Sequence, residues 1–284
     1  MIKRRKLVEL FFVSLMKVAT FIVVGSLFYI IITIFIKGLP AINLAMLIQT
    51  PKGGYYLGKE GGILNAILGS LLLGISSSLL ALMISLPIVF YLNIYLKKAS
   101  RFALIIRFSF DVLFGIPSIV YGAFGFTLMM FMGIQASLLA AIITVALLIL
   151  PIMTRSMDEI LKTVPFELKE ISYALGATKL ETSLKVILRQ TFPGILTAFL
   201  ISFGRGISDA ASVLFTAGFT DLLPYSLFKP VATLPLAIFF QLATPFPEVQ
   251  QRGYAAALVL TIIILIVSIG SRISLKKFTR QVLK

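Results

Sequence analysis

The 284 residues are 59% hydrophobic, with a mean hydropathy of +1.04 and only 26 basic and 11 acidic side chains, so the expected solvent is a lipid bilayer. The net charge of +15 does not point to nucleic acid, because no soluble basic domain carries it. With no cysteine and no histidine, the chain has no disulfide, no thiolate nucleophile, no Cys-based metal site and none of the commonest general base, so catalysis within it is not expected.

Residues 18–36 form an uncharged run of 19 residues, enough for one span. The basic start (Lys3, Arg4, Arg5, Lys6) suggests a signal peptide. The apolar part is too long for a typical signal core and lacks a small-residue cleavage site before Lys37, so a retained anchor helix is expected. Residues 61–96 are uncharged, longer than one upright span of ~30 Å requires at ~1.5 Å per residue. Their glycine-rich start is expected outside the bilayer, with a kink permitted at Pro87. Residues 112–154 suit two spans, turning near Met132-Gly133-Ile134-Gln135. A fifth span is expected to begin near Pro193-Gly194 and a sixth to cover 253–270. The chain reads as one all-α membrane domain, residues 1–284, with six transmembrane helices.

Between the fourth and fifth spans lies one long polar interlude, residues 155–192. Its halves read as short amphipathic helices. Leu168, Ile171 and Leu175 share one face of the first, with Glu167, Lys169 and Glu170 elsewhere; Leu180, Leu184 and Ile187 line the second. Gly176 between them suits the left-handed end of a helix, and Thr178 with Glu181 makes a capping box for the second. Counting Lys and Arg in the flanks puts nineteen on the side of both termini and this interlude, and five on the other. That asymmetry predicts cytoplasmic termini and a cytoplasmic helical hairpin, and such a hairpin implies a partner that grips it.

Arg205 is expected about ten residues into the fifth span, ~15 Å deep, where a charge costs at least ~2.5–3.5 kcal/mol and must face a pore or a partner. Asp209, four residues on, is placed to pair with it. The guanidinium fork suits a tetrahedral oxyanion such as phosphate; the plainer reading is an ion pair that fixes helix packing. Asp111 follows Arg107 by four residues, and an Arg107–Asp111 pair at the cytoplasmic boundary is expected. Lys17 reads as snorkelling to the headgroups. Gly115, Pro117, Ser118 and Gly122 interrupt the third span, which is tolerated where backbone faces protein or a water-filled cavity. Close packing through small residues explains the same pattern.

Residues 53–59, GGYYLGK, fit a phosphate-loop spacing, but Glu60 stands where Ser or Thr is needed, and no strand precedes them. A flexible outer loop, residues 37–61, is the better reading. The second outer loop, residues 219–252, is proline-rich, with an apolar run at 234–240 that reads as a short interfacial or re-entrant helix.

Six spans with that interlude resemble the permease subunits of binding-protein-dependent ABC importers, which carry a cytoplasmic EAA-xxx-G loop. Here it aligns as Glu170-Ile171-Ser172 and Gly176, with Ala174 inside it. Both family alanines are replaced, and Arg189 stands where proline is usual. Gly115-Ile116-Pro117-Ser118-Ile119-Val120-Tyr121-Gly122 is similar to a segment of the phosphate-transporter permeases, as are residues 61–70, 213–217 and 254–260. Residues 213–217 resemble the segment that marks the A type of the paired subunits. The resemblance runs from about Gly38 to the end.

It implies a type I importer permease fold (core roughly 61–272), with Glu170, Ile171, Ser172, Ala174 and Gly176 coupling to an ATPase. It also implies a heterodimeric pore with a second homologous permease, two cytoplasmic ATP-binding subunits that hold the ATP and magnesium, and an extracytoplasmic phosphate-binding protein. No cofactor is expected in this chain. The setting is the inner membrane of a bacterial or archaeal cell, with lipid and not nucleic acid around it. Phosphate permeases carry an RAxGE pattern where this chain has Arg205-Gly206-Ile207-Ser208-Asp209; Arg205, Ser208 and Asp209 are therefore the expected pathway residues. Other readings stay open: a different oxyanion (molybdate, tungstate or sulfate), a secondary transporter or channel acting alone, or a membrane subunit that docks an ATPase and moves nothing.

Overall fold

A computed structural model describes residues 2–52, 60–97 and 100–279. The phosphate-loop look-alike at 53–59 lies outside the described residues. Helix α1 (Ile2–Gly38) is apolar and exposed along almost all its length, and meets the rest of the chain near its end, where Lys37 Nζ lies 5.0 Å from the Tyr254 ring. A short helix α2 (Leu44–Ile48) and a two-residue antiparallel ribbon, β1 (Pro51–Lys52) with β2 (Glu60–Gly61), lead into α3 (Leu64–Phe90). α3 continues as a π-turn over Tyr91–Tyr95.

The third span is not one interrupted helix. It is two, α4 (Arg101–Phe114) and α5 (Ser118–Phe131), meeting at 99°. Gly115 ends α4 and Pro117 caps α5, because the residue before proline avoids helical geometry and proline lacks the N–H that would continue the ladder. The span therefore starts within a charged segment, earlier than the uncharged run suggests. The turn at 132–135 is where it was expected, with Gly133 in the left-handed region.

α6 (Leu138–Lys162) runs past the end of its uncharged stretch, and α7 (Phe166–Ala174) follows. The second half of the polar interlude is not a separate helix. α8 (Lys179–Glu181), a π-turn (Thr182–Ile187) and α9 (Leu188–Ile207) form one continuous helical stretch, so the fifth helix begins well before Pro193 and ends at Ile207. Gly176 takes φ +82°, and both reciprocal bonds of the Thr178–Glu181 capping box are made.

After α9 the chain runs irregularly over 208–233, then forms α10 (Leu234–Leu242) and α11 (Pro247–Thr279). Five described helices are long and apolar enough to cross a membrane, six when the bent α4–α5 pair is counted as one span. Two apolar clusters hold the bundle. One joins α3, α6 and α9 through residues such as Val89, Val145, Ile149 and Ile195; the other joins α10 and α11 to α3 and α9 through Ala66, Phe203, Leu234 and Ala256.

The two ends of the irregular segment lie inside the bundle, while Leu222, Tyr225 and Phe228 between them are exposed. Val213, Thr216, Ala217 and Ala232 are buried, and backbone at that depth needs internal partners. Its carbonyls supply them: Thr216, Lys229 and Leu227 accept from the Ser137, Leu138 and Leu139 amides, which begin α6 and have no partner within the helix. The Leu234 amide donates to Ser70 Oγ at 2.7 Å, and Asn65 Nδ2 donates to the Thr220 carbonyl at 2.8 Å. Gly69 and Gly122 allow the close approach, because a Cβ on either would lie within 3 Å of the backbone oxygen of Ala232 or Ala211. α10 is buried over its first turn, with Leu234 and Leu236 fully covered, while Phe239 is half-exposed.

Candidate functional site: an arginine at the end of α9 and an outward-facing apolar segment

Arg205 sits in the last turn of α9, and Ser208 is the residue that ends the helix. Asp209 is therefore beyond the helix, not four residues along its face, but the pair still forms, Nη2 to Oδ1 at 3.3 Å. The other carboxylate oxygen accepts the Ser212 amide at 2.8 Å. Asp209 is 5% exposed and Arg205 46%, so the acid is anchored in the chain's own core while the guanidinium leans out of it. Ser208 Oγ donates to the Gly204 carbonyl at 2.8 Å and the Arg205 carbonyl at 3.2 Å, which tidies two of the orphan carbonyls at a helix end.

Depth follows from the neighbour. Gly206 packs against Val145 and Ile149 of α6, seven to eleven residues from that helix's start, or ~10–16 Å at ~1.5 Å per residue. That distance is about half the thickness of a ~30 Å hydrocarbon layer. The negative end of the α9 dipole also favours a cation there. Gly122 of α5 lies against the backbone of Ala211 and Ser212, so the broken third span touches the segment that starts at Asp209. Gly115, Pro117 and Ser118 lie at the α4–α5 corner, at a distance in sequence from that contact; Gly115 and Pro117 are exposed.

At one end of the bundle, α7 presents an inverted amphipathic face. Lys169 and Ser172 are turned inward, whereas Ile171 is 58% and Leu175 83% exposed. Phe166, Leu180 and Leu184 are exposed as well, while Ile187 is fully buried. Glu170, Ala174 and Gly176 are also at the surface. Ser172 is the exception among the residues of the loop motif: its hydroxyl is buried against Thr182, Oγ to Oγ1 at 2.8 Å, and it fastens α7 to the start of the fifth span. The Tyr173 phenol is held above its ordinary pKa by burial and then by the neighbouring Tyr95.

Behind α7 lies an ion network whose pairs differ from those that helical spacing predicts. Arg107 does not pair with Asp111; it takes Asp158 of α6 in a two-bond fork, and Asp111 takes Arg155 at 2.8 Å. Asp158 is 1% exposed and also meets Lys162 at 2.8 Å and Asn93 Nδ2 at 2.8 Å. Lys169 of α7 donates to the Asn93 carbonyl at 3.1 Å, which joins α7 to the end of α3. The signal that marks Asp158 in the sequence is a lone carboxylate on the α6 face made by Thr154, Met157 and Leu161, all buried. Among the described residues no group of three or more acidic side chains is placed to hold a metal.

Residues 90–284 match the family described as the binding-protein-dependent transport system inner membrane component. The chain belongs to this family. Two curated proteins are similar to most of the chain. The phosphate transport system permease protein PstA of Xylella fastidiosa (strain Temecula1) is 32% identical over 95% of this chain and 93% of that protein. The PstA of Yersinia pestis is 34% identical over 88% and 84%. Among solved structures, the inward-facing MetNI methionine ABC transporter superposes with a TM-score of 0.61 over 76% of this chain and 95% of that one, at 18% identity. The family's type I importer permease fold is thus the fold of this chain.

Proposed function

We propose that this chain is the transmembrane permease subunit of an ATP-driven importer of inorganic phosphate and forms half of the translocation pathway by alternating access. The observation that carries the proposal is a half-exposed arginine in the last turn of α9, held by an acid that is itself buried and anchored to a backbone amide. The planar fork offers paired charge-assisted donors to a phosphate oxygen. The PstA names of the similar proteins favour the same substrate.

In this reading Arg205 faces a second, homologous permease across the pathway, and Asp209 positions the guanidinium and competes with the anion for it. Ser208 closes the helix end. The α4–α5 corner at Gly115, Pro117 and Ser118, and the contact at Gly122, let the third span shift against the 208–217 segment. Glu170, Ile171, Ala174 and Gly176, with Leu175, meet a cytoplasmic ATP-binding subunit, and Ser172 acts from inside as a fastener. Nucleotide and magnesium bind that partner, and an extracytoplasmic binding protein delivers the phosphate. Both termini then lie in the cytoplasm, as the basic-residue asymmetry favours.

The test is phosphate uptake by the reconstituted complex carrying Arg205→Gln. Uptake falls by at least roughly tenfold while subunit assembly is kept, since a charged hydrogen bond contributes about 1.5–3 kcal/mol. Wild-type uptake by that variant removes the proposal.

A further inference from the structure

α4 and α5 meet at 99°, so at most one of them runs along the membrane normal. α5 is that one: a short turn joins it to α6, and its Gly125 packs on Thr144 of that long apolar helix, so the two form a hairpin. α4 therefore runs roughly in the membrane plane. Its level is fixed by its partners on α6. Residues 138–154 of that helix carry no charge, and the first charges after them, Arg155 and Asp158, hold Asp111 and Arg107 of α4. α4 thus lies where the uncharged part of the bundle gives way to the charged part, at the boundary of the hydrocarbon layer.

Its outward face is the apolar one. Ala103 and Phe110 are buried against the bundle, and Arg107 turns inward to Asp158. Phe102, Ile105, Phe108 and Val112 lie on the opposite side at helical spacing, each more than half exposed. Ser109 on that side donates to the Ile105 carbonyl at 2.9 Å, so its hydroxyl proton is satisfied within the helix. Lys97 and Arg101 stand exposed where α4 begins.

We propose that α4 is an interfacial helix that binds the surface of an anionic phospholipid bilayer. Phe102, Ile105, Phe108 and Val112 enter the headgroup–acyl boundary by about 5–10 Å, and Lys97 and Arg101 meet lipid phosphates. Two observations favour lipid over a protein partner. The basic start of the helix complements anionic headgroups, and the four outward side chains offer no donor or acceptor, whereas protein interfaces carry about one hydrogen bond per 100–200 Å². Arg107 and Asp111 tie α4 to α6, so bound lipid steadies the charged end of that helix. The inference is independent of the proposed transport; that reading only assigns the leaflet, as the cytoplasmic one.

The chain has no native cysteine, so Phe102→Cys, Phe108→Cys and Val112→Cys take nitroxide labels without background. The full chain is measured in nanodiscs of phosphatidylcholine with phosphatidylglycerol, alone and within the membrane complex it purifies with. Oxygen and nickel-chelate accessibilities give the depth of each label. The expected result is lipid access at all three positions, at depths within a few ångströms of one another, and unchanged in the complex. An upright α4 would instead separate positions 102 and 112 by ~15 Å along the normal, at ~1.5 Å per residue. That gradient overturns the proposal, and so does loss of lipid access in the complex, which would mark the face as a contact with another subunit. Native mass spectrometry then counts retained phosphatidylglycerol. Lys97→Gln with Arg101→Gln is expected to lower retention by roughly fivefold for each charge removed, and unchanged retention overturns the proposal. All five positions are exposed, so the variants keep the fold.

Discussion

Arg107 of α4 grips Asp158 of α6 with two bonds, Nε to Oδ2 at 2.9 Å and Nη2 to Oδ1 at 3.1 Å. The carboxylate is buried and serves several cations, so its removal leaves the largely buried Arg107 beside Arg155 and Lys162 without their shared counter-charge. Asp158→Asn is expected to destabilise the chain by about 3–5 kcal/mol, the range for breaking a buried pair from one side. Arg107→Lys keeps the charge, loses the fork and costs less. Thermal unfolding in detergent ranks the two; equal midpoints for Asp158→Asn and wild type contradict the network's role.

Asp209 and Arg205 are expected to be energetically coupled. Asp209→Asn weakens the hold on the guanidinium and changes phosphate uptake, while Arg205→Lys keeps charge without a planar fork and retains only part of the activity. A double-mutant cycle on uptake should give a coupling of about 0.5–3 kcal/mol. Strict additivity means that the two act independently.

Leu175 and Ile171 face outward, so replacing them leaves folding intact. Leu175→Glu and Ile171→Asp are expected to shift the thermal midpoint little, because exposed substitutions usually stay within about 0.5 kcal/mol. Co-purification of an ATP-binding subunit, however, is expected to be lost. Cysteine crosslinking from Ala174, which is exposed, captures that subunit better than from Ser172, which is covered by Thr182.

Gly69 admits no side chain where it meets Ala232, whereas a methyl group added at Gly25 of α1 would meet nothing within 4 Å. Gly69→Ala is expected to cost about 1–3 kcal/mol through overpacking. Gly25→Ala is expected to be neutral or slightly stabilising, since alanine is the better helix former. Parallel thermal melts of the two variants check the contrast.

The spans are readable because lipid leaves a one-dimensional trace: uncharged runs, interrupted by prolines and glycines where a helix must bend. The Thr178–Glu181 cap and the left-handed Gly176 are local chemistry and are legible for the same reason. The ends of α6 and α9 are not, since a helix continues past an uncharged run when its charges find partners, as Arg155 and Asp158 do. Pairing Arg107 with Asp111 follows helical spacing, but each residue finds a better partner on α6, and such contacts across helices leave no mark on spacing. The inward turn of Lys169 is a similar case. Periodicity finds the apolar stripe of α7 without saying whether that stripe faces the bundle or a partner.

From Lys179 to Ile207 no loop interrupts the fifth crossing. Its 29 residues at ~1.5 Å each make a lever of ~43 Å, with Ser172 and Thr182 clamped at its foot and Arg205 near its tip. Under the proposed transport function, a tilt of a few degrees imposed at the foot would swing the guanidinium by ångströms, and the distance between Arg205 and Asp209 would report it.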